Sequence, residues 1–193
     1  MGPEKKVLRV DFFPDACIIY SIRKKIYAPP DGDEGGEKMS IERVRDYFRQ
    51  YAMEGRIREV DASSATVETA AAALGCEPKR IAKTLSFCAG EDIILIVAAG
   101  DRKIDNKKYK ARFGCKAQML KAEEVEPIVG HGVGGVCPFG INDGIDVYMD
   151  VSLKRFDTVF PAAGSGNSMI ELSIEELEQY GGSSGWVDVC KER

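Results

Sequence analysis

Residues 81–99 read Ile81-Ala82-Lys83-Thr84-Leu85-Ser86-Phe87-Cys88-Ala89-Gly90-Glu91-Asp92-Ile93-Ile94-Leu95-Ile96-Val97-Ala98-Ala99. Two β-prone runs flank Ala89-Gly90-Glu91, whose length and glycine suit a hairpin turn, so 82–88 and 92–99 are expected to pair antiparallel. The second run has no polar residue from Ile93 to Ala99. It is far too short to span a bilayer and too apolar for a sheet edge, so it reads as a strand buried on both faces.

Upstream, Pro78 suits the first turn of a short helical piece. Thr66 caps a helix through the alanines at 70–73, stopped at Gly75. A strand is expected near Ile57 to Val60. From Ser40, Ile41, Val44, Phe48 and Tyr51 recur at helical spacing, which predicts an amphipathic helix to about Met53 with Ser40 as its cap. Before it, Pro29-Pro30-Asp31-Gly32-Asp33-Glu34-Gly35-Gly36 has linker composition. Two parts are expected: an N-terminal extension, 1–38, and a domain, 39–193.

Downstream, Asp105 caps a basic helix to Phe113, with Gly114 as its stop. Strands are expected near 116–120, 145–151, 158–162 and 168–172. Ser173 and Glu176 form a capping box that opens a helix to about Tyr180, and 186–190 reads as a closing strand. Many strands interleaved irregularly with short helices predict an α+β fold: a mixed, barrel-like sheet with surrounding short α-helices rather than a regular βαβ repeat.

The composition narrows the chemistry. Lys plus Arg number 27 and Asp plus Glu 31, a net charge of −4, so any polyanion must meet a local patch rather than a uniformly basic surface. His131 is the one histidine, which leaves little for imidazole-built metal sites or a Ser-His-Asp hydrolase. The six cysteines include no CxxC pair, and no secretory leader is expected from residues 1–38. A cytoplasmic protein with reduced thiols is expected, with neither metal nor cofactor implied.

Four segments can carry chemistry. Gly130-His131-Gly132-Val133-Gly134-Gly135-Val136-Cys137-Pro138-Phe139-Gly140 lets backbone N–H and C=O groups approach a ligand without Cβ interference, as an oxyanion or phosphate cradle requires. It is no Walker loop, and a surface loop with tight turns is the plainer reading. Lys83 stands where a short helix gives way to a strand, so its ammonium is placed to point from the sheet's rim into a cleft; a solvated lysine is the alternative. The basic run from Arg102 to Lys121, with Lys107, Lys108 and Lys110 at its centre, is a candidate phosphate-binding face or else a solvated helix face. Ala162-Ala163-Gly164-Ser165-Gly166-Asn167-Ser168 is a hairpin turn whose small residues leave room for a ligand. His131, flanked by glycines, is expected to be poorly oriented and dispensable for catalysis.

Taken together, Ile81-Ala82-Lys83-Thr84-Leu85-Ser86-Phe87, the Gly134-to-Gly140 loop, Val147-Tyr148-Met149-Asp150 and the Ala-Gly-Ser-Gly-Asn turn resemble the YbaK family over roughly residues 40–190. Its members are freestanding relatives of the editing domain inserted in bacterial prolyl-tRNA synthetases and hydrolyse mischarged aminoacyl-tRNA. The resemblance implies the same fold and a trans-editing deacylase that needs no cofactor. The lysine matching Lys83 would be essential for deacylation, with Thr84 a secondary contact. The loop from Gly132 to Pro138, with Gly134 catalytic and Gly132, Gly135 and Pro138 binding substrate, would orient water or ester, and Ser165 and Asn167 would add contacts. Lys107, Lys108 and Lys110 would meet the tRNA acceptor end, and an aminoacyl-tRNA synthetase is a further implied partner. Where some members carry Ser and Asp in the late hairpin, this chain has Ala162 and Met169, so their amino-acid specificity does not carry over. Two rivals stand beside this reading: a non-catalytic aminoacyl-tRNA or nucleotide-binding module that regulates a synthetase, and a cysteine-dependent enzyme using Cys137 beside His131.

Overall fold

The computed structural model describes residues 36–60 and 66–193. Helix α1 (Gly36–Arg49) leads through a 3-10 turn (Glu54–Arg56) to β1 (Ile57–Glu59) and α2 (Val67–Leu74). A second 3-10 turn (Pro78–Arg80) precedes β2 (Ile81–Ala89), β3 (Asp92–Ala99), β4 (Arg102–Ile104), α3 (Asn106–Phe113), β5 (Gln118–Met119) and α4 (Ala122–Val129). Then come β6 (Ile145–Asp150), a 3-10 stretch (Val151–Arg155), β7 (Thr158–Pro161), β8 (Ser168–Ile170), β9 (Leu172–Ser173), α5 (Ile174–Tyr180), β10 (Ser183–Val187) and β11 (Cys190–Glu192).

The main sheet runs β10-β6-β3-β2-β7-β9 and curls into a half-barrel, with β5 also paired to β2. The hairpin forms as expected, β2 against β3 from Ala82↔Ala99 to Ala89↔Asp92. Parallel pairs β3–β6 and β2–β7 extend it on both sides, so the sheet is mixed. The apolar run of β3 is buried throughout from Ile94 to Ala99 because both faces are covered. Leu95, Val97 and Ala99 join one core with Val44 and Phe48 of α1 and Phe139; Ile94, Ile96 and Ala98 join another with Phe87 and Tyr109 of α3. A third cluster sets Ala70 and Ala71 of α2 against Ile81, Phe160 and Met169.

Local chemistry explains the helix ends. The Thr66 hydroxyl accepts from Thr69 N–H and Gly75 closes α2 at φ +65°. Asp105 accepts from the backbone N–H groups of Lys107 and Lys108 at 2.8 and 3.2 Å. The Ser173–Glu176 capping box opens α5.

Several expectations need correction. Residues 1–35 of the expected extension lie outside the described residues, while Gly36 to Lys38 already belong to α1. The helix therefore starts ahead of the drawn boundary, and Ser40 is inside it rather than its cap; the helix also ends at Arg49, short of Met53. The strand expected over 116–120 shrinks to Gln118–Met119, and the closing strand is replaced by β10 and β11, broken at Asp188 and Val189. Helix α4 has no counterpart in the sequence reading. Pro127 inside it hides it, because proline removes one intrahelical donor. Its C-terminal carbonyls find a partner in Asn142, whose Nδ2 donates to Ile128 O at 2.9 Å and whose backbone N–H donates to Val129 O at 3.0 Å.

Candidate functional site

Asn142 and α4 frame the glycine loop, and two buried contacts fix its shape. Nε2 of His131 lies 2.7 Å from the carbonyl of Phe139, and the Ser40 hydroxyl lies 2.7 Å from Nδ1. A carbonyl only accepts, so Nε2 carries the proton and Nδ1 accepts from Ser40. Burial pushes the imidazole down to about 4, well below its ordinary value, so it is neutral near pH 7. The sequence predicts a poorly oriented His131 between flexible glycines, and the structure corrects this. The side chain is fully buried and staples both ends of the loop to α1.

The loop then packs backbone against backbone on the 162–168 turn. A Cβ at Gly135 would stand 2.3 Å from the carbonyl oxygen of Gly164, and one at Gly164 2.5 Å from that of Ser40. Only glycine permits that approach, and Gly164 also takes φ +96°. Ala163 N–H donates to Ser168 O at 2.9 Å, closing the turn. Within it, Ser165 Oγ lies 2.8 Å from Asn167 Oδ1 and 2.7 Å from Ser168 Oγ, while Asn167 Nδ2 donates to Val60 O at 3.1 Å.

Between this layer and β2 opens a cavity of about 370 Å³. Lys83, Thr84, Gly134 and Ser165 all line it, so residues distant in sequence converge. Its remaining wall is largely apolar, from Leu120, Val125, Val136, Phe160, Ala162 and Met169 among others. Gly132, Gly135, Pro138 and Asn167 do not line it. Gly135 is held against Gly164, Pro138 is buried beside Gly181, and Asn167 fastens Val60.

Alternation along β2 puts Lys83 and Thr84 on opposite faces, yet both reach the cavity. The reason lies in the pairing: β7 covers β2 at Ile81 and Ala82, and β5 covers it at Phe87 and Cys88. Among the described residues no strand pairs with the outer edge between them, and the cavity wraps around it. The Lys83 ammonium donates to the carbonyls of Gly100, at 3.2 Å, and Arg102. Burial first, and the positive charge of Arg193 second, lower this lysine to about 8. The Thr84 hydroxyl is buried and, among the described residues, has no hydrogen-bond partner.

On α3, Lys107, Lys108 and Lys110 are exposed while Tyr109 is buried. Lys108 Nζ lies 2.7 Å from Asp188 Oδ1 and donates to Cys190 O at 3.1 Å, so its charge is partly met within the chain. The cysteine-based alternative is not supported by its geometry: Cys137 is fully buried, its thiol is pushed up to about 12 by burial, and neither it nor His131 lines the cavity. Among the described residues no helix is long and apolar enough to cross a membrane. Ser168, Ala162 and Val136 lie in segments the sequence singles out, whereas Val125, Phe160 and Met169 carry no distinguishing signal there. Nothing in their local context separates Phe160 or Met169 from ordinary core.

Residues 61–180 match the family model of the aminoacyl-tRNA editing domain. The uncharacterized protein YwhH of Bacillus subtilis (strain 168) is 55% identical over 155 residues, 80% of this chain and 99% of that protein. The proline--tRNA ligase of Caldicellulosiruptor bescii is 32% identical over 90 residues, which are 46% of this chain and 15% of the ligase. Among solved structures, a candidate trans-editing enzyme for prolyl tRNA synthetase aligns with a TM-score of 0.72 at 27% identity, over 79% of this chain and 97% of that one.

Proposed function

Because the chain belongs to the aminoacyl-tRNA editing domain family, we propose that it is a cytoplasmic trans-editing hydrolase that deacylates misacylated tRNA, with the chain from α1 onward as its editing domain. The observation that carries this reading is the single cavity lined by Lys83, Thr84, Gly134 and Ser165. Its size and mixed lining suit a small aminoacyl group with one ester to place. The ester that joins an amino acid to the terminal ribose is activated enough that positioning and charge can suffice. Water attacks the ester carbonyl carbon, the carbonyl oxygen gains negative charge, and the ribose oxygen leaves with a proton. Lys83 supplies positive charge beside that change, and the backbone at Gly134 orients the water or the ester. No imidazole base is required, in keeping with a His131 committed to the loop. The exposed cations of α3 meet the phosphates of the acceptor end.

The rival is a module that holds aminoacyl-tRNA without hydrolysing it, and one observation favours it: the Lys83 ammonium is already engaged by two carbonyls. Turnover decides between them. A panel of mischarged tRNAs is incubated with the purified protein, and loss of label from the tRNA is followed. Release of at least one amino acid, well above the spontaneous rate, is expected. Saturable binding with no release on the whole panel sinks the enzyme reading.

A further inference from the structure

The open edge of β2 has a defined polarity. In an antiparallel ladder the N–H and C=O of one residue point to the same side, and successive residues alternate. Leu120 N–H donates to Ser86 O at 3.1 Å, so Ser86 faces away from β3. The β2–β3 register is unbroken, and Thr84, two residues earlier, faces the same way. Among the described residues, no strand pairs with β2 on that side between Ala82 and Phe87. The main-chain N–H and C=O of Thr84 thus point into the gap between β7 and β5, with the orphaned Thr84 hydroxyl beside them.

A residue in an antiparallel hydrogen-bonded pair exchanges both its N–H and its C=O with the residue opposite. A free aminoacyl group carries those same two functions, an amine donor and a carbonyl acceptor, on adjacent carbons. We propose that the gap at Thr84 binds the aminoacyl group as a one-residue strand. The Thr84 carbonyl accepts from the substrate's α-amine, and the Thr84 N–H donates to its acyl carbonyl. Main-chain contacts of this kind serve any α-amino acid, which leaves side-chain discrimination to the apolar wall. The N–H contact also strengthens as the acyl oxygen gains charge. This inference takes the identity of its ligand from the deacylase reading.

The test measures binding, so it is separate from turnover. The probes are 3′-amino-3′-deoxyadenosine acylated through its 3′-nitrogen with L-alanine, and the same compound acylated with propionic acid, which lacks only the α-amine. Both are amides and resist hydrolysis. The full chain, labelled with nitrogen-15, is titrated with each. The alanyl compound is expected to bind at least about tenfold more tightly, as for one hydrogen bond to a charged donor, and to move the Thr84 amide resonance. Equal affinities, an unmoved Thr84 amide, or no binding of either compound overturns the contact. Turnover of a mischarged tRNA together with equal affinities removes this inference and leaves the deacylase standing. Tenfold discrimination with no turnover on the whole panel does the reverse.

Discussion

The Ser40 hydroxyl, inside α1, donates to Nδ1 of His131, 91 residues further along the chain. With Nε2 bonded to Phe139 O, the imidazole joins α1 to both limbs of the glycine loop. Its neutral form is required, since a second ring proton would meet the Ser40 oxygen only after that hydroxyl turns away.

A pH dependence follows. The folded value of His131 is depressed to about 4 from an ordinary 6.5. Between those values the unfolded chain binds more protons than the folded one, so stability falls as pH falls. The contribution is complete above pH 6.5 and is lost progressively towards pH 4, about 3 kcal/mol in all at 1.36 kcal/mol per unit. Denaturant unfolding at a series of pH values should show this slope, and His131→Asn should flatten it. The same slope in the variant would assign it to other groups.

His131→Ala removes the imidazole partner of the buried Ser40 hydroxyl, at about 1–3 kcal/mol, and leaves the Phe139 carbonyl with only the weak contact of the Cys137 thiol at 3.8 Å. The variant should unfold at lower denaturant, yet the part that remains folded should deacylate at close to the wild-type rate. Loss of several orders of magnitude in rate at full folding would restore a catalytic role.

How much of this is legible in the sequence depends on the range of the interaction. The β2–β3 hairpin, the Thr66 and Asp105 caps and the Ser173–Glu176 box are decided within a few residues, so local chemistry suffices to place them. His131 misleads because its glycine neighbours suggest freedom while its partner lies in a different element. Helix α4 escapes notice because Pro127 breaks the local pattern, while Asn142, outside the helix, supports its end. The cavity's polar members can be nominated from residue type. Its apolar wall cannot, since Phe160, Met169 and Val125 look like core until the open edge of β2 is known. Gly132, Gly135 and Pro138 mark the opposite case: a motif identifies a loop without saying which of its residues face the ligand.

That difference among glycines is testable. A Cβ at Gly135 would meet Gly164 O at 2.3 Å and Ser165 N at 2.7 Å, all backbone, whereas among the described residues the nearest atom to one at Gly132 is Glu126 Oε2 at 3.9 Å. Gly135→Ala should lower stability by about 1–3 kcal/mol as the loop is pushed off the turn and should reduce deacylation with it. Gly132→Ala should change neither by much. Thermal unfolding of the two variants side by side checks the contrast, and equal behaviour would mean that the loop yields freely.

The α3 lysines are expected to act through phosphate. Lys107→Glu with Lys110→Glu should weaken tRNA binding at low salt and reduce the slope of log affinity against log salt by about one for each phosphate no longer neutralised. Lys108→Glu should cost stability as well, because it places a carboxylate against Asp188. Unchanged affinity of the double variant at low salt would make this a solvated face.

Lys83 carries the central prediction. Lys83→Ala removes both charge and reach, and should slow deacylation at least about a hundredfold, near 3 kcal/mol of transition-state stabilisation. Lys83→Arg keeps the charge but replaces a compact ammonium with a planar fork, and should restore activity only in part. Uncharged tRNA should bind both variants as it binds the wild type. The pH profile separates the two ways a lysine can act. Burial lowers Lys83 to about 8, so it is largely an ammonium at neutral pH and loses its proton through the mildly alkaline range. If it acts by charge, the enzymatic rate, after subtraction of spontaneous ester hydrolysis, should decline above pH 8. If it acts as a base, the rate should rise there. Arg193 is the second cause of the lowered value. Arg193→Gln should therefore carry the alkaline limb to higher pH without changing the rate at neutral pH. A wild-type rate from Lys83→Ala, on a substrate the native protein clearly turns over, would refute the charge mechanism outright and leave the Thr84 edge and the glycine loop to act without it.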